Sequence, residues 1–549
     1  MRRIIIHPKM QDIIIHPFAF AVFPILSLYV KNIEKGHTQV AIITTIEILA
    51  LAALCWLLVT LFVQDKRKSS LIVSVFLILF FSYGHAISAF SAALERMQLL
   101  DQVTFLVQGT PALIFWLVIG GVLFVALAYF IKSASDAYLA TEFSNIVGLA
   151  LVMMVGVNFF ARGGFRTVLN KNLYPDKFKI FFPVVARQMN DQTALNEFKN
   201  FWQETMSPEN THAASGSSPD IYYIILDMYA RADYLEKIYH YDNSEFLSFL
   251  TGKGFYVAGK STSNYPYTAH SLASSLNSVY LDEIGNQANE QFHTFGPSIV
   301  MLKTNRLFQF LRNHDYTIVA FSTGFEFTEI KDADVYMSPA LPWWQPDEFQ
   351  NALINITPLS ILPIHQQTQD NIHRTRVLYT LDHIADGTKI DSPTFVFAHV
   401  VAPHPPYAFG ANGEPVQSKL HQEYTYEEFI ETYRNQVSHI NKKIQTVIEE
   451  ILSQSPEPPI IIVQSDHGSC FGTYHLNLPE RMSILNTYYF PDQNYQALYE
   501  SITPVNTFRI ILNDYFGTNY KLLEDKNYYS SRQSPYSFTD VTDQVLSGN

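Results

Sequence analysis

The sequence predicts an α-helical membrane domain followed by an α/β domain built as a sandwich around a largely parallel sheet. Three observations lead there. Five apolar stretches crowd the first 161 of the 549 residues, at about 13–30, 40–63, 70–91, 112–131 and 144–161, each close to the length that a helix needs to cross a bilayer. From Asp220 onward, short β-branched or aromatic runs alternate with longer amphipathic segments, the pattern of strand and helix in turn. Two of those runs end in acidic residues, and open parallel sheets place their ligands just beyond the carboxyl ends of strands.

In the membrane part, residues 1–165, "VAIITTIEILALAALCWLLVTLFV" and "ALIFWLVIGGVLFVALAYFI" are the clearest spans. The first stretch carries Pro17 and Pro24 and could be read as a signal peptide, but no small-residue cleavage pattern follows it, so it is kept as a fifth helix. Basic residues favour the cytoplasmic side of short connections. Arg2, Arg3, Lys9, Lys66, Arg67, Lys68 and Lys132 fall on one side, against Lys31, Lys35 and Arg96 on the other. With five spans, the N-terminus is expected to be cytoplasmic and everything after Ala161 outside. The protein would be integral to the plasma (inner) membrane, its large domain periplasmic or extracellular.

Beyond residue 165 the formal charge is −16, against −13 for the whole chain. An acidic domain is a poor partner for nucleic acid, whose affinity comes mainly from Lys and Arg on phosphates, and a phosphate substrate would have to be met by local cations. Cys55 lies in a span and Cys470 in the exported part, so no disulfide framework is expected.

Residues 166–219 read as a juxtamembrane linker. "RGGFRTVLNKNLYPDKFKIFFPVVARQMN" suits either a segment on the membrane surface or a plain loop; "NEFKNFWQETMS" looks helical, and "PENTHAASGSSP" is polar and rich in Ser, Pro and Ala. In 220–549, "IYYIIL" (221–226), "TIVAFS" (317–322), "PTFVFAHV" (393–400) and "PIIIVQS" (459–465) are expected as buried strands. "YTYEEFIETYRNQVSHINKKIQTVIEEIL" (424–452) is expected as a long amphipathic helix.

Four elements carry candidate chemistry. "IYYIILDMYAR" ends its strand in Asp227, and "IIIVQSDHG" ends its strand in Asp466 and His467. Asp and Gly also make ordinary turns, but two carboxylates and an imidazole on matching strand ends form a ligand set suited to Zn or Mn. In "STSNYPYTAHSLASSLN" (261–277), Thr268 is expected as the N-cap of a helix, a place where a phosphoryl group is well received. A threonine hydroxyl becomes a useful nucleophile when a metal or base lowers its pKa. In "AHVVAPHPPYAFG", prolines fix where His404 points, so it can donate to a phosphate oxygen, act as a general acid or simply be a loop residue. His399 is read as a buried strand residue.

This ordered set resembles the alkaline phosphatase/sulfatase superfamily. Membrane helices followed by such an exported domain resemble lipoteichoic acid synthases and lipid A phosphoethanolamine transferases in particular. The resemblance implies an alkaline-phosphatase-like catalytic domain over 220–549, with a polar C-terminal tail. It also implies that Asp227, Thr268, Asp466 and His467 hold one divalent metal, that Thr268 is the nucleophile, and that His404 contacts the substrate phosphate. The membrane transferases usually have Glu where this chain has Asp227. His475 is a candidate ligand for a second metal, but its spacing after "DHG" is not diagnostic, and one metal, Zn or Mn, is expected. Neither C-x-P-x-R nor S-x-P-x-R occurs, which disfavours a formylglycine sulfatase. The function implied is transfer of a phospho-head group from a membrane phospholipid donor to an envelope glycan or lipid acceptor, through a phospho-threonine. A phosphodiester or sulfate ester hydrolase, and a non-catalytic domain that binds an envelope polymer, are the alternatives.

Overall fold

The computed structural model describes residues 13–31, 38–96, 109–161, 218–282, 295–325, 327–342, 345–419, 424–469 and 477–547. Cys470, His475 and the linker up to residue 217 lie outside them. Five helices answer the five apolar stretches: α1 (His16–Lys31), α2 (Thr38–Val63), α3 (Lys66–Arg96), α4 (Gly109–Ser133) and α5 (Tyr138–Ala161). Helices α2 to α5 are long and apolar enough to cross a membrane. Phe62, Val122, Phe130 and Leu139 point outward, as on helices that face lipid rather than water. At 16 residues α1 spans only about 24 Å, less than the hydrocarbon core of roughly 30 Å. It contains Pro24, and its crossing is retained as a proposal.

Residues 342–366 group with this helical unit, although the boundary expected at 219 left them in the exported domain. Their helix, Glu348–Asn355, starts from a capping box between Asp347 and Gln350. Phe349 and Leu353 are buried in one cluster with Ile25, Tyr29 and Phe81. The Gly84 amide donates to the Ile356 carbonyl at 3.0 Å. A Cβ on Gly84 would stand 2.9 Å from the Ile356 Cα, so glycine permits the close approach.

The second unit is built on a seven-stranded sheet of order β2-β7-β6-β1-β5-β3-β4. Its strands are β1 (Ile221–Leu226), β2 (Tyr256–Val257), β3 (Thr317–Phe321), β4 (Val335–Met337), β5 (Thr394–Val400), β6 (Ile460–Gln464) and β7 (Asn486–Tyr489). The pairs of β1 with β5 and β6, and of β3 with β4 and β5, are parallel; β7 runs antiparallel to β6 and β2. Strands β1, β5 and β6 are buried along their whole length, which explains why they read as unbroken apolar runs rather than alternating ones.

Alternation nonetheless sorts the two faces. Ile221, Tyr223, Ile225, Phe395, Phe397, Ile460 and Ile462 pack with Leu272 and Leu276 of α6 (Thr268–Asn277). Tyr222, Ile224, Val396, Ala398, Ile461 and Val463 face the opposite cluster, which holds α7 (Tyr426–Gln454). The long helix begins at a capping box, with the Glu428 amide donating to Thr425 Oγ1 at 3.2 Å. It buries Phe429, Tyr433, Val437, Ile440, Ile444, Val447 and Ile451, one stripe at helical spacing.

Candidate functional site

The period of two runs to the strand ends and just past them. Asp227 follows Tyr223 and Ile225, His399 follows Phe395 and Phe397, and Asp466 follows Ile462 and Gln464, all on the face that α6 covers. Helix α6 brings Thr268 to the same place, and the four residues expected from the sequence to act together do converge. His467 Nε2 lies 3.3 Å from Thr268 Oγ1, 3.4 Å from Asp466 Oδ2 and 3.8 Å from Asp227 Oδ1.

The loops are held by specific contacts. Asp466 Oδ1 accepts from the amides of Met228 at 3.1 Å and His467 at 2.9 Å. Met228, at φ 67°, sits in the left-handed region that costs a non-glycine residue about 1–2 kcal/mol. Its carbonyl accepts from Tyr433 Oη at 2.8 Å, a fixed point that stabilises the sharp turn after Asp227. Ser271 Oγ donates to the Asp466 carbonyl at 2.6 Å and so ties α6 to the β6 loop.

Gly468 has a steric reason to be glycine. A Cβ there would stand 2.1 Å from the Glu480 carbonyl oxygen and 2.6 Å from that of Ser483, both backbone atoms. Gly468→Ala is therefore expected to move the His467 loop and destabilise the domain by about 1–3 kcal/mol or more. Chemical unfolding together with metal content checks this, the expected result being a loss in both.

Thr268 is the first residue of α6 rather than its N-cap. Tyr267 takes the cap position without a side-chain cap bond, which leaves the Thr268 hydroxyl directed at His467. Three neighbouring hydroxyls are engaged elsewhere: Ser271 with the Asp466 carbonyl, Ser274 with the Val279 carbonyl at 2.6 Å, and Thr262 with Asn527 Nδ2 at 2.9 Å. Sequence spacing alone could not separate them.

His404 is half-buried. Its amide donates to the Asp227 carbonyl at 3.1 Å, and its ring Nδ1–H donates to the Pro405 carbonyl at 2.6 Å. The sequence reading missed His399. It is buried in β5 as expected, yet its Nε2 stands 3.3 Å from Asp227 Oδ2, with Thr328 Oγ1 2.8 Å from its Nδ1. The signal available was the alternation along "TFVFAHV", which puts His399 on the site face.

Two buried carboxylates side by side repel. Burial first, and the charge of Asp227 second, push the Asp466 carboxyl up to about 7. Burial also raises Asp227, but His404 and then the hydrogen bond and charge of His399 outweigh it and hold Asp227 below the usual range. Burial and then Arg481 pull His467 well below an ordinary histidine, so its ring is neutral. Its Nδ1–H donates to the Gly468 carbonyl at 3.0 Å, which leaves the lone pair on Nε2.

The donor set fits a divalent cation. Asp227 Oδ1 and Asp466 Oδ2 are buried without hydrogen-bond partners, which a bound cation would remedy. The ligand atoms of Asp227, Asp466 and His467 all lie within 4.8 Å of one another. Ligands at zinc bond lengths in a tetrahedron are about 3.3 Å apart, close to the separations around His467 Nε2.

The sulfatase family profile matches residues 219–547. No curated protein matches the sequence at a significant level. Similar solved structures include the zinc complex of the C-terminal periplasmic domain of EcEptC from Escherichia coli, at 11% identity over 62% of this chain and 97% of that one, TM-score 0.42. Another is the integral membrane protein lipooligosaccharide phosphoethanolamine transferase A from Neisseria meningitidis, at 14% identity over 90% of this chain and 94% of that one, TM-score 0.38.

Proposed function

Because this chain belongs to the sulfatase family, we propose that it is a membrane-bound, metal-dependent phosphotransferase that moves a phospho-head group from a phospholipid to an envelope glycan or lipid. Its N-terminus is cytoplasmic and its α/β domain exported. The observation that carries the reading is the convergence of Thr268 with Asp227, Asp466 and His467 around two unpartnered carboxylate oxygens.

Asp227, Asp466, His467 and Thr268 would hold one divalent ion, Zn or Mn, which when bound lowers the pKa of the Thr268 hydroxyl and offsets phosphoryl charge. Thr268 Oγ attacks phosphorus; a P–O bond to Thr268 forms as the P–O bond to the diacylglycerol oxygen breaks. His404 contacts the phosphate and protonates the departing oxygen. The hydroxyl of the acceptor then attacks phosphorus and passes its proton to His404, while the P–O bond to Thr268 breaks and frees its oxygen for the next cycle. The helix N-terminus at Thr268 offers backbone N–H groups to the phosphoryl oxygens. Anchoring the domain keeps it beside lipid donors.

Lipid and glycan mass spectrometry of cells with and without the protein tests this. A head-group modification of an envelope component should disappear with the gene. Unchanged envelopes alongside slower phospholipid turnover would point instead to hydrolysis.

A further inference from the structure

Arg481 was not singled out by any sequence pattern, yet it borders the metal centre. It is 8% exposed, and a buried guanidinium is costly unless its donors are met. Two of its nitrogens are fixed by main-chain carbonyls: Nε donates to Pro266 O at 2.9 Å and Nη1 to Gly468 O at 3.3 Å. These anchors lie two residues before Thr268 and one residue after His467. Nη2 stands 3.1 Å from His467 Nε2. That nitrogen carries the lone pair, and it is the atom that faces Thr268, Asp466 and Asp227.

A metal held by His467 needs that lone pair, so the hydrogen that Nη2 now directs at it must turn to another acceptor. The anchors through Nε and Nη1 keep the guanidinium in place meanwhile. A fixed cation beside a divalent cation is repelled unless an anion lies between them. The group brought to Thr268 under the proposed function is such an anion, and guanidinium is the side chain best matched to phosphate oxygens. This also supplies the local cation that a domain of formal charge −16 requires.

We propose that Arg481 is a phosphoryl-binding residue, its Nη2 passing from His467 Nε2 to a non-bridging oxygen of the phosphoryl group presented to Thr268. The inference rests on the metal-centre reading above. A charge-assisted hydrogen bond predicts roughly a tenfold or larger change in affinity.

The test is isothermal titration of inorganic phosphate into full-length, Mn-loaded protein in detergent, with metal content measured on the same samples. Arg481→Gln should bind phosphate at least about tenfold more weakly than wild type at full metal. Apo Arg481→Gln should take up Mn no more weakly than wild type, because a competitor for His467 Nε2 has gone. Unchanged phosphate affinity at full metal would overturn the role of Arg481 and leave the metal centre standing. If Arg481→Gln fails to fold or to keep metal, Arg481→Lys decides, since one ammonium cannot keep both carbonyl anchors and reach the phosphate. Weaker phosphate binding at full metal supports the proposal, and unchanged binding overturns it. A wild-type protein that binds neither metal nor phosphate would remove both readings together.

Discussion

Asp466→Asn and His467→Ala are expected to empty the metal centre and abolish turnover while the α/β domain stays folded. Asparagine at 466 keeps an Oδ1 to accept from the Met228 and His467 amides. It replaces the unpartnered Oδ2 with an amide that cannot ligate a cation. The fold should tolerate this, because the change also removes the repulsion between Asp466 and Asp227. His467→Ala deletes the one nitrogen that faces all three other ligands. Elemental analysis of detergent-purified protein, with thermal unfolding as the check on folding, should give metal occupancy near zero in both variants and well-formed transitions. Full occupancy in both would mean that the "SDHG" segment is only a turn. In the wild type, metal must displace the proton on Asp466, whose carboxyl is pushed up to about 7. Metal affinity should therefore fall as pH drops through that value, since below it the protonated carboxyl competes with the cation.

Thr268→Ala should strike the chemistry while sparing both the structure and the metal. Its hydroxyl caps no helix bond, so its removal leaves α6 intact. Asp227, Asp466 and His467 remain to bind the metal. Turnover should fall by roughly three orders of magnitude or more, as when a covalent nucleophile is removed elsewhere, with little change in metal content. Thr268→Ser keeps the hydroxyl and should retain part of the activity. Near-normal turnover in Thr268→Ala, measured by release of diacylglycerol from a phospholipid donor, would remove Thr268 from the mechanism.

How much of this was legible in the sequence differs between elements, for physical reasons. Strands β1, β3, β5 and β6 fell within a residue or so of their expected positions, because a strand buried on both faces is a bounded apolar run. The helix Tyr426–Gln454 was visible through its stripe at 3.6-residue spacing. β2, with two residues, and β7, which runs antiparallel in "NTYY", lack such a signature. The segment 342–366 was placed in the exported domain because nothing in its own periodicity says that Phe349 and Leu353 pack against α1 and α3. Asp227, Asp466 and His467 announced themselves as polar residues closing apolar runs. Arg481 did not, since it lies in a five-residue helix and reaches His467 through folding contacts with Pro266 and Gly468 that no local pattern foretells. The N-cap assignment of Thr268 was one residue out, and that residue decides whether its hydroxyl serves the helix or the metal centre.

The central claim is that Thr268 becomes covalently phosphorylated by a lipid head group. Its most direct test is phosphopeptide mapping of metal-loaded protein mixed with phospholipid and denatured within the first turnovers. The account predicts a single adduct, phosphate plus head group, on the peptide that contains Thr268, and none in Thr268→Ala. An adduct on Ser263 or Ser271, or steady turnover with no adduct on any hydroxyl, would contradict it.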